Sequence, residues 1–162
     1  MTLSNSENER MKREDLEQVQ LERLQISLNR AYKNVSYYRE QFESQRIDGG
    51  AVRTVADIGK FPFTTREALG RNYPYGLFAV PLRDIVRISS SAGTTSNPVV
   101  VGYTKNDLRT TNTMTARFLD AGGVADTDVV QICLNPGLSN WGRALKEGAE
   151  AIGASVMPMS HM

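Results

Sequence analysis

Ile85-Val86-Arg87-Ile88-Ser89-Ser90-Ser91-Ala92-Gly93-Thr94-Thr95-Ser96-Asn97-Pro98-Val99-Val100-Val101-Gly102-Tyr103 is the stretch on which the fold turns. Residues 85–88 and 99–103 are short runs rich in β-branched side chains, and the residues between them are small and polar. Two strands flanking a tight loop is the arrangement this pattern predicts. On the C-terminal side, Thr104 with Asp107 three residues on can cap a helix through Leu108, Met114, Phe118 and Leu119 to Gly122-Gly123. Val129-Val130-Gln131-Ile132-Cys133-Leu134 reads as a buried strand, on which Cys133 is inert packing. Asn135-Pro136-Gly137 breaks it, a helix from Trp141 to Ile152 follows and stops at Gly153, and residues 155–159 form a last strand. Alternation of strand and helix predicts an α/β layer with right-handed crossovers.

On the N-terminal side the pattern is helical. Leu16, Val19, Leu21, Leu24, Leu28, Ala31, Tyr32 and Val35 form one apolar stripe, with Glu14, Glu17, Glu22, Arg23, Arg30 and Lys33 on the wet face. Ser36 is expected to cap a second helix over residues 37–44. Residues 54–58 suit one further turn, and Thr64-x-x-Glu67 has the capping-box spacing that opens another helix. Tyr73, Tyr75, Leu77 and Phe78, punctuated by Pro74, Gly76 and Pro81, are expected to pin a loop onto the core. Residues 1–12 are polar and read as a disordered lead-in.

Composition excludes several function classes. The net charge is +1, from 19 basic and 18 acidic side chains, so no excess charge draws the chain to nucleic acid or an anionic membrane. Cys133 is the only cysteine, which rules out an internal disulfide and cysteine-rich zinc clusters and favours a reducing cytoplasm. His161 is the only histidine and sits next to the last residue, a poor place for a histidine base or a Ser-His-Asp triad. No secretory signal and no apolar run near the about 20 residues that span a bilayer is present.

Chemistry concentrates in residues 89–98. Small side chains allow backbone N–H groups to approach an anion, and Ser and Thr hydroxyls add donors. The Walker A spacing is absent. On residue types alone, such a cluster is either a plain turn or a phosphate grip.

The run Ser91-Ala92-Gly93-Thr94-Thr95-Ser96-Asn97-Pro98, continuing Val99-Val100-Val101-Gly102-Tyr103-Thr104, is similar to the S-S-G-T-T-G-K-P-x-V-V-G-Y-T phosphate loop of phenylacetate–CoA ligases, within the adenylate-forming superfamily. Further segments resemble the family in order: Leu21-Glu22-Arg23-Leu24, Ala31-Tyr32-Lys33-Asn34-Val35, Phe61-Pro62-Phe63-Thr64-Thr65, Asn72-Tyr73-Pro74-Tyr75-Gly76, Asp128-Val129-Val130-Gln131, Gly148-Ala149-Glu150 and Val156-Met157-Pro158-Met159-Ser160. The resemblance implies an α/β fold: an N-terminal helical segment over residues 13–84, then the start of an AMP-binding α/β domain over 85–162 with its phosphate loop at 89–98. It implies a two-step reaction on a small carboxylic acid, aromatic in the family's namesake. The carboxylate attacks the α-phosphate of Mg²⁺-bound ATP, and the thiol of coenzyme A then displaces AMP. Ser91, Gly93, Thr94, Thr95 and Ser96 would hold the β- and γ-phosphates, and Gly137, Leu138 and Trp141 would border the acyl pocket.

Departures from the pattern matter. The family's lysine is Asn97, its second serine is Ala92 and its later glycine is Ser96. Loss of one charge-assisted contact costs roughly 1.5–3 kcal/mol if no other cation compensates. The aromatic, glycine-rich pocket turn reads Leu134-Asn135-Pro136-Gly137-Leu138-Ser139-Asn140-Trp141. Trp141, where the family has glycine, either anchors the helix start or lines the pocket. The family's later motifs for adenine and ribose, its hinge and its mobile domain with a catalytic lysine are not found, and the last strand leaves the layer interrupted. The expectation is an N-terminal portion, inactive unaided and completed by a complementing ligase chain. Two alternatives stand beside it: a non-catalytic interaction module, or an adenylyltransferase resembling coenzyme F390 synthetase.

Overall fold

The structure is a computed structural model that describes residues 7–47, 52–91, 97–134 and 141–159. It divides into two compact units. One comprises Glu7–Pro81 with Thr95–Val99, and the other comprises Leu82–Thr94 with Val100–Met162.

The first unit is helical. One 3₁₀ turn, Glu7–Arg10, lies within the stretch expected to be a disordered lead-in. Helix α1 (Arg13–Asn34) and helix α2 (Ser36–Ser44) meet at Val35, which is 1% exposed. Ser36 is not the cap it was expected to be: it is the first helical residue, Val35 holds the cap position, and no side chain caps α2. Arg39 ties the joint from the other side, donating to the carbonyls of Tyr32 (3.1 Å) and Lys33 (2.6 Å) at the end of α1. Carbonyls in the last turn of a helix lack the next turn's N–H donors, and the guanidinium donates to both of these. Phe42, buried on α2, packs edge-on against Phe61 with ring centroids 5.0 Å apart.

A 3₁₀ turn, Val55–Lys60, is held by Asp57, which accepts from the backbone N–H of Arg53 (2.9 Å) and of Thr54 (2.8 Å). Lys60 at 2.7 Å, then these two N–H groups, keep the Asp57 carboxyl well below the usual carboxylate range. Helix α3 (Arg66–Arg71) is capped by Thr65, whose hydroxyl accepts from the N–H of Ala68. The expected cap, Thr64, is instead hydrogen bonded to the Tyr38 hydroxyl at 3.0 Å, a tertiary contact that outweighs the local spacing. Tyr73 and Tyr75, expected to pin their loop to the core, are exposed.

The second unit carries the strands. Strands β1 (Arg87–Ser90) and β2 (Val100–Tyr103) pair antiparallel, with Arg87 opposite Tyr103 and Ser90 opposite Val100. Helix α4 (Lys105–Ala121) begins with the predicted box: the N–H and hydroxyl of Thr104 donate to Asp107, and the N–H of Asp107 donates to the Thr104 hydroxyl. Strand β3 (Val129–Ile132), helix α5 (Trp141–Ile152) and strand β4 (Ser155–Pro158) form a parallel β-α-β unit, with Val129 opposite Ser155. Gly123 and Gly153, at φ +91° and +97°, end the two helices in the left-handed region where a Cβ is strained.

Among the described residues the strands form two separate two-stranded sheets rather than one layer. A short connection lets β1 turn back on β2, whereas β3 and β4 need the crossover of α5. Cys133 is also corrected: β3 ends one residue earlier, and the thiol is exposed rather than packed. The contact between α4 and α5 is built of small side chains. Ala116 on α4 and Ala144, Gly148 and Ala149 on α5 are buried, so the two helix backbones approach closely.

Candidate functional site

The hairpin β1–β2 presents its connection at one end. Its register puts Ser90 opposite Val100, with residues 91–99 between them in the sequence. On β1 the side chains alternate: Ser89 is buried at 6% exposure while Ile88 faces outward. The first strand is fastened below the connection. The N–H of Val86 donates to the carbonyl of Tyr103 at 2.9 Å. Arg87 forms a two-pronged ion pair with Glu147 of α5, at 2.7 and 3.4 Å, with side chains 16% and 23% exposed. A guanidinium and a carboxylate matched in this way fix orientation as well as distance. The arm that leads into the connection is therefore tied to α5, the helix of the β-α-β unit.

Of the expected phosphate-binding residues, Ser91 is described: it is exposed, immediately past β1. Gly93, Thr94, Thr95 and Ser96 lie outside the described residues, as does Ala92. Beyond them Asn97 is exposed, and Asn97 and Val99 line a hollow of about 600 Å³ with Arg66, Glu67, Gly70 and Arg71 of α3. No local pattern in the sequence points to these arginines; they lie a helix earlier in the chain, and only the fold of the first unit sets them beside Asn97.

Of the expected acyl-pocket residues, Gly137 and Leu138 lie outside the described residues. Trp141 is the first residue of α5 and is 75% exposed, so it does not anchor the helix start by burial. Its indole borders a largely apolar hollow of about 760 Å³ between α4 and α5, with Tyr103, Met114, Phe118, Ala144 and Leu145 among its walls.

Among the described residues, no three His, Cys, Asp or Glu side chains converge to hold a metal ion. Among the same residues, no helix is long and apolar enough to cross a membrane.

No protein-family model matches the chain. It is 41% identical over 152 residues to the phenylacetate–coenzyme A ligase of Aromatoleum evansii, an alignment that covers 94% of this chain and 34% of that protein. It is 44% identical over 145 residues to the phenylacetate–coenzyme A ligase of Pseudomonas putida, covering 90% of this chain and 33% of the relative. The chain spans about a third of the length of the curated relatives it matches. Among solved structures, its fold matches a 2-hydroxyisobutyryl-CoA ligase crystallised with 2-HIB-AMP and CoA in the thioesterification state. The TM-score is 0.82 at 22% identity, over 94% of this chain and 33% of that one.

Proposed function

We propose that this chain, which is homologous to phenylacetate–coenzyme A ligases over about a third of their length, is the N-terminal portion of an AMP-forming carboxylic acid–CoA ligase. Its part in that reaction is to grip the polyphosphate of ATP. Ser91, Gly93, Thr94, Thr95 and Ser96 would donate to the β- and γ-phosphates while a carboxylate attacks the α-phosphorus and pyrophosphate leaves. Donors already oriented toward oxygens that gain charge stabilise that step without reorganising. Gly137, Leu138 and Trp141 would border the acyl group, and the thiol of coenzyme A would displace AMP in the second step. The observation that carries this reading is the β1–β2 pair, which holds the Ser/Thr/Gly connection between two in-register strands and anchors its first arm through Arg87 and Glu147.

Calorimetric titration with Mg·ATP tests the assignment. The chain is expected to bind Mg·ATP, and the double change Thr94→Ala, Thr95→Ala is expected to weaken binding by roughly tenfold or more, since each hydroxyl lost is a donor to a charged oxygen. Absence of binding, or equal binding by the double variant, would remove the phosphate grip. Met114, Phe118 and Trp141, all exposed along α4 and α5, favour a second function, that of a non-catalytic interaction module. A chain that binds no nucleotide would move the balance toward it.

A further inference from the structure

Strands β3 and β4 run parallel and end side by side, with Ile132 opposite Pro158 and the N–H of Met159 donating to the carbonyl of Ile132 at 2.8 Å. Beyond those ends lies a hollow of about 330 Å³, walled by Ile132, Leu134, Pro158 and Met159 and, from α5, by Arg143 and Lys146. All six residues belong to the same compact unit. In parallel α/β layers the crevice beyond the carboxyl ends of the strands is where ligands sit, and the volume suits a small molecule.

The wall is divided in its chemistry. Its strand side is apolar, and its helix side carries two cations and no carboxylate. Lys146 is partly neutralised by Glu150, 2.6 Å away, in a pair that is 42% and 48% exposed. Glu147, the other carboxylate of α5, is engaged by Arg87. The Arg143 guanidinium, three residues before Lys146, is in no ion pair among the described residues. A cation beside apolar surface is matched by a ligand with an apolar body and an anionic end, and a planar guanidinium meets a carboxylate through two parallel hydrogen bonds. A carboxylate held in that way has both oxygens occupied, so it is not the group that attacks phosphorus.

We infer that the hollow beyond β3 and β4 seats an acid that carries a second negative group, a dicarboxylate, with Arg143 binding the carboxylate that does not react and Lys146 supporting it. This rests on the ligase reading above and narrows its substrate class. Arg143 acts on specificity, since it meets the far end of the acid rather than the reacting atoms.

Titrations of the full chain with adipate, a dicarboxylate, and with hexanoate, which has the same length and one carboxylate, test the inference through backbone amide shifts. Adipate is expected to bind roughly tenfold more tightly than hexanoate and to shift the amide signals of Ile132, Arg143 and Met159. Arg143→Met is expected to bring adipate down to the level of hexanoate and to leave hexanoate unchanged, with the rest of the amide spectrum confirming the fold. Arg143→Lys, which keeps the charge, is expected to retain more of the adipate affinity, and Lys146→Met to lose less of it than Arg143→Met. No preference for adipate in the parent chain, binding of neither acid, or an adipate affinity that Arg143→Met does not lower overturns the inference. A Mg·ATP titration of the same samples separates the two readings. Mg·ATP binding that persists beside any of those results leaves the phosphate grip standing, whereas adipate held through Arg143 by a chain that binds no Mg·ATP keeps the acid site and removes the grip.

Discussion

Replacing Gly148 by alanine sets two effects of opposite sign against each other. In a helix interior, alanine is favoured over glycine by about 1 kcal/mol, so local propensity predicts a more stable α5. The packing predicts the reverse. A Cβ at position 148 would lie 2.7 Å from Thr115 Cγ2, 2.9 Å from Thr115 Cβ and 3.0 Å from the backbone nitrogen of Ala116, all on α4. Ordinary contact begins near 3.4 Å, so the helices must part by about 0.4–0.7 Å. The nitrogen of Ala116 belongs to the helix backbone and cannot rotate away. Overpacking of this kind costs roughly 1–3 kcal/mol, which outweighs the propensity gain. The expected net loss is about 1 kcal/mol, seen as a lower urea midpoint and a Tm reduced by about 3 °C. Thr115→Ser in the same background removes Cγ2 while keeping the hydroxyl that donates to the Thr111 carbonyl at 2.9 Å. It should recover part of the loss but not all, since the Cβ and Ala116 contacts remain. A Gly148→Ala protein more stable than the parent would refute the close approach of α4 and α5, and with it the role given to their small residues.

Two further perturbations probe the supports of the site. Glu147→Ala strands the largely buried guanidinium of Arg87, and a loss of roughly 2–3 kcal/mol in urea unfolding is expected; the double variant Arg87→Met, Glu147→Leu should regain much of it, and an unperturbed single variant would mean that the pair does not hold β1. Asp57 bears on pH. Its folded pKa is depressed by Lys60 and by the N–H groups of Arg53 and Thr54, so its contribution is fully present above its unfolded value of about 4 and is lost as pH falls through the folded value. Amide exchange at Arg53 and Thr54 should therefore differ between the parent and Asp57→Asn at neutral pH, with the difference closing in strong acid; a constant difference would contradict the assigned cause.

Much of the local architecture is readable without coordinates. The stripe from Leu16 to Tyr32 lies on one helix, Arg13–Asn34, and Val35 follows it at the joint. Thr104 and Asp107 open α4 as their spacing requires, and Gly153 closes α5. Each of these depends on groups within one or two turns of each other, where the backbone's unmet N–H and carbonyl groups find partners close by. The failures share the opposite cause. Thr64 has the spacing of a cap but is engaged by Tyr38, and Ser36 yields its cap position because Val35 is buried at the joint. Cys133 sits among apolar neighbours in sequence, yet the strand stops before it.

For the candidate site the division is similar. The hydroxyl-rich connection and its two flanking strands are visible in the order of residues 85–103, because a hairpin joins neighbours in the chain. Chain order alone does not set Glu147 under Arg87, Thr115 against Gly148, or Arg71 beside Asn97. Those partners are far apart along the backbone and meet only when helices pack. Side-chain shape and burial then choose among many contacts that local propensity leaves equal. Hydrogen bonding between near neighbours dictates where helices and strands begin and end, and the packing of distant segments decides which charges and surfaces the site can use.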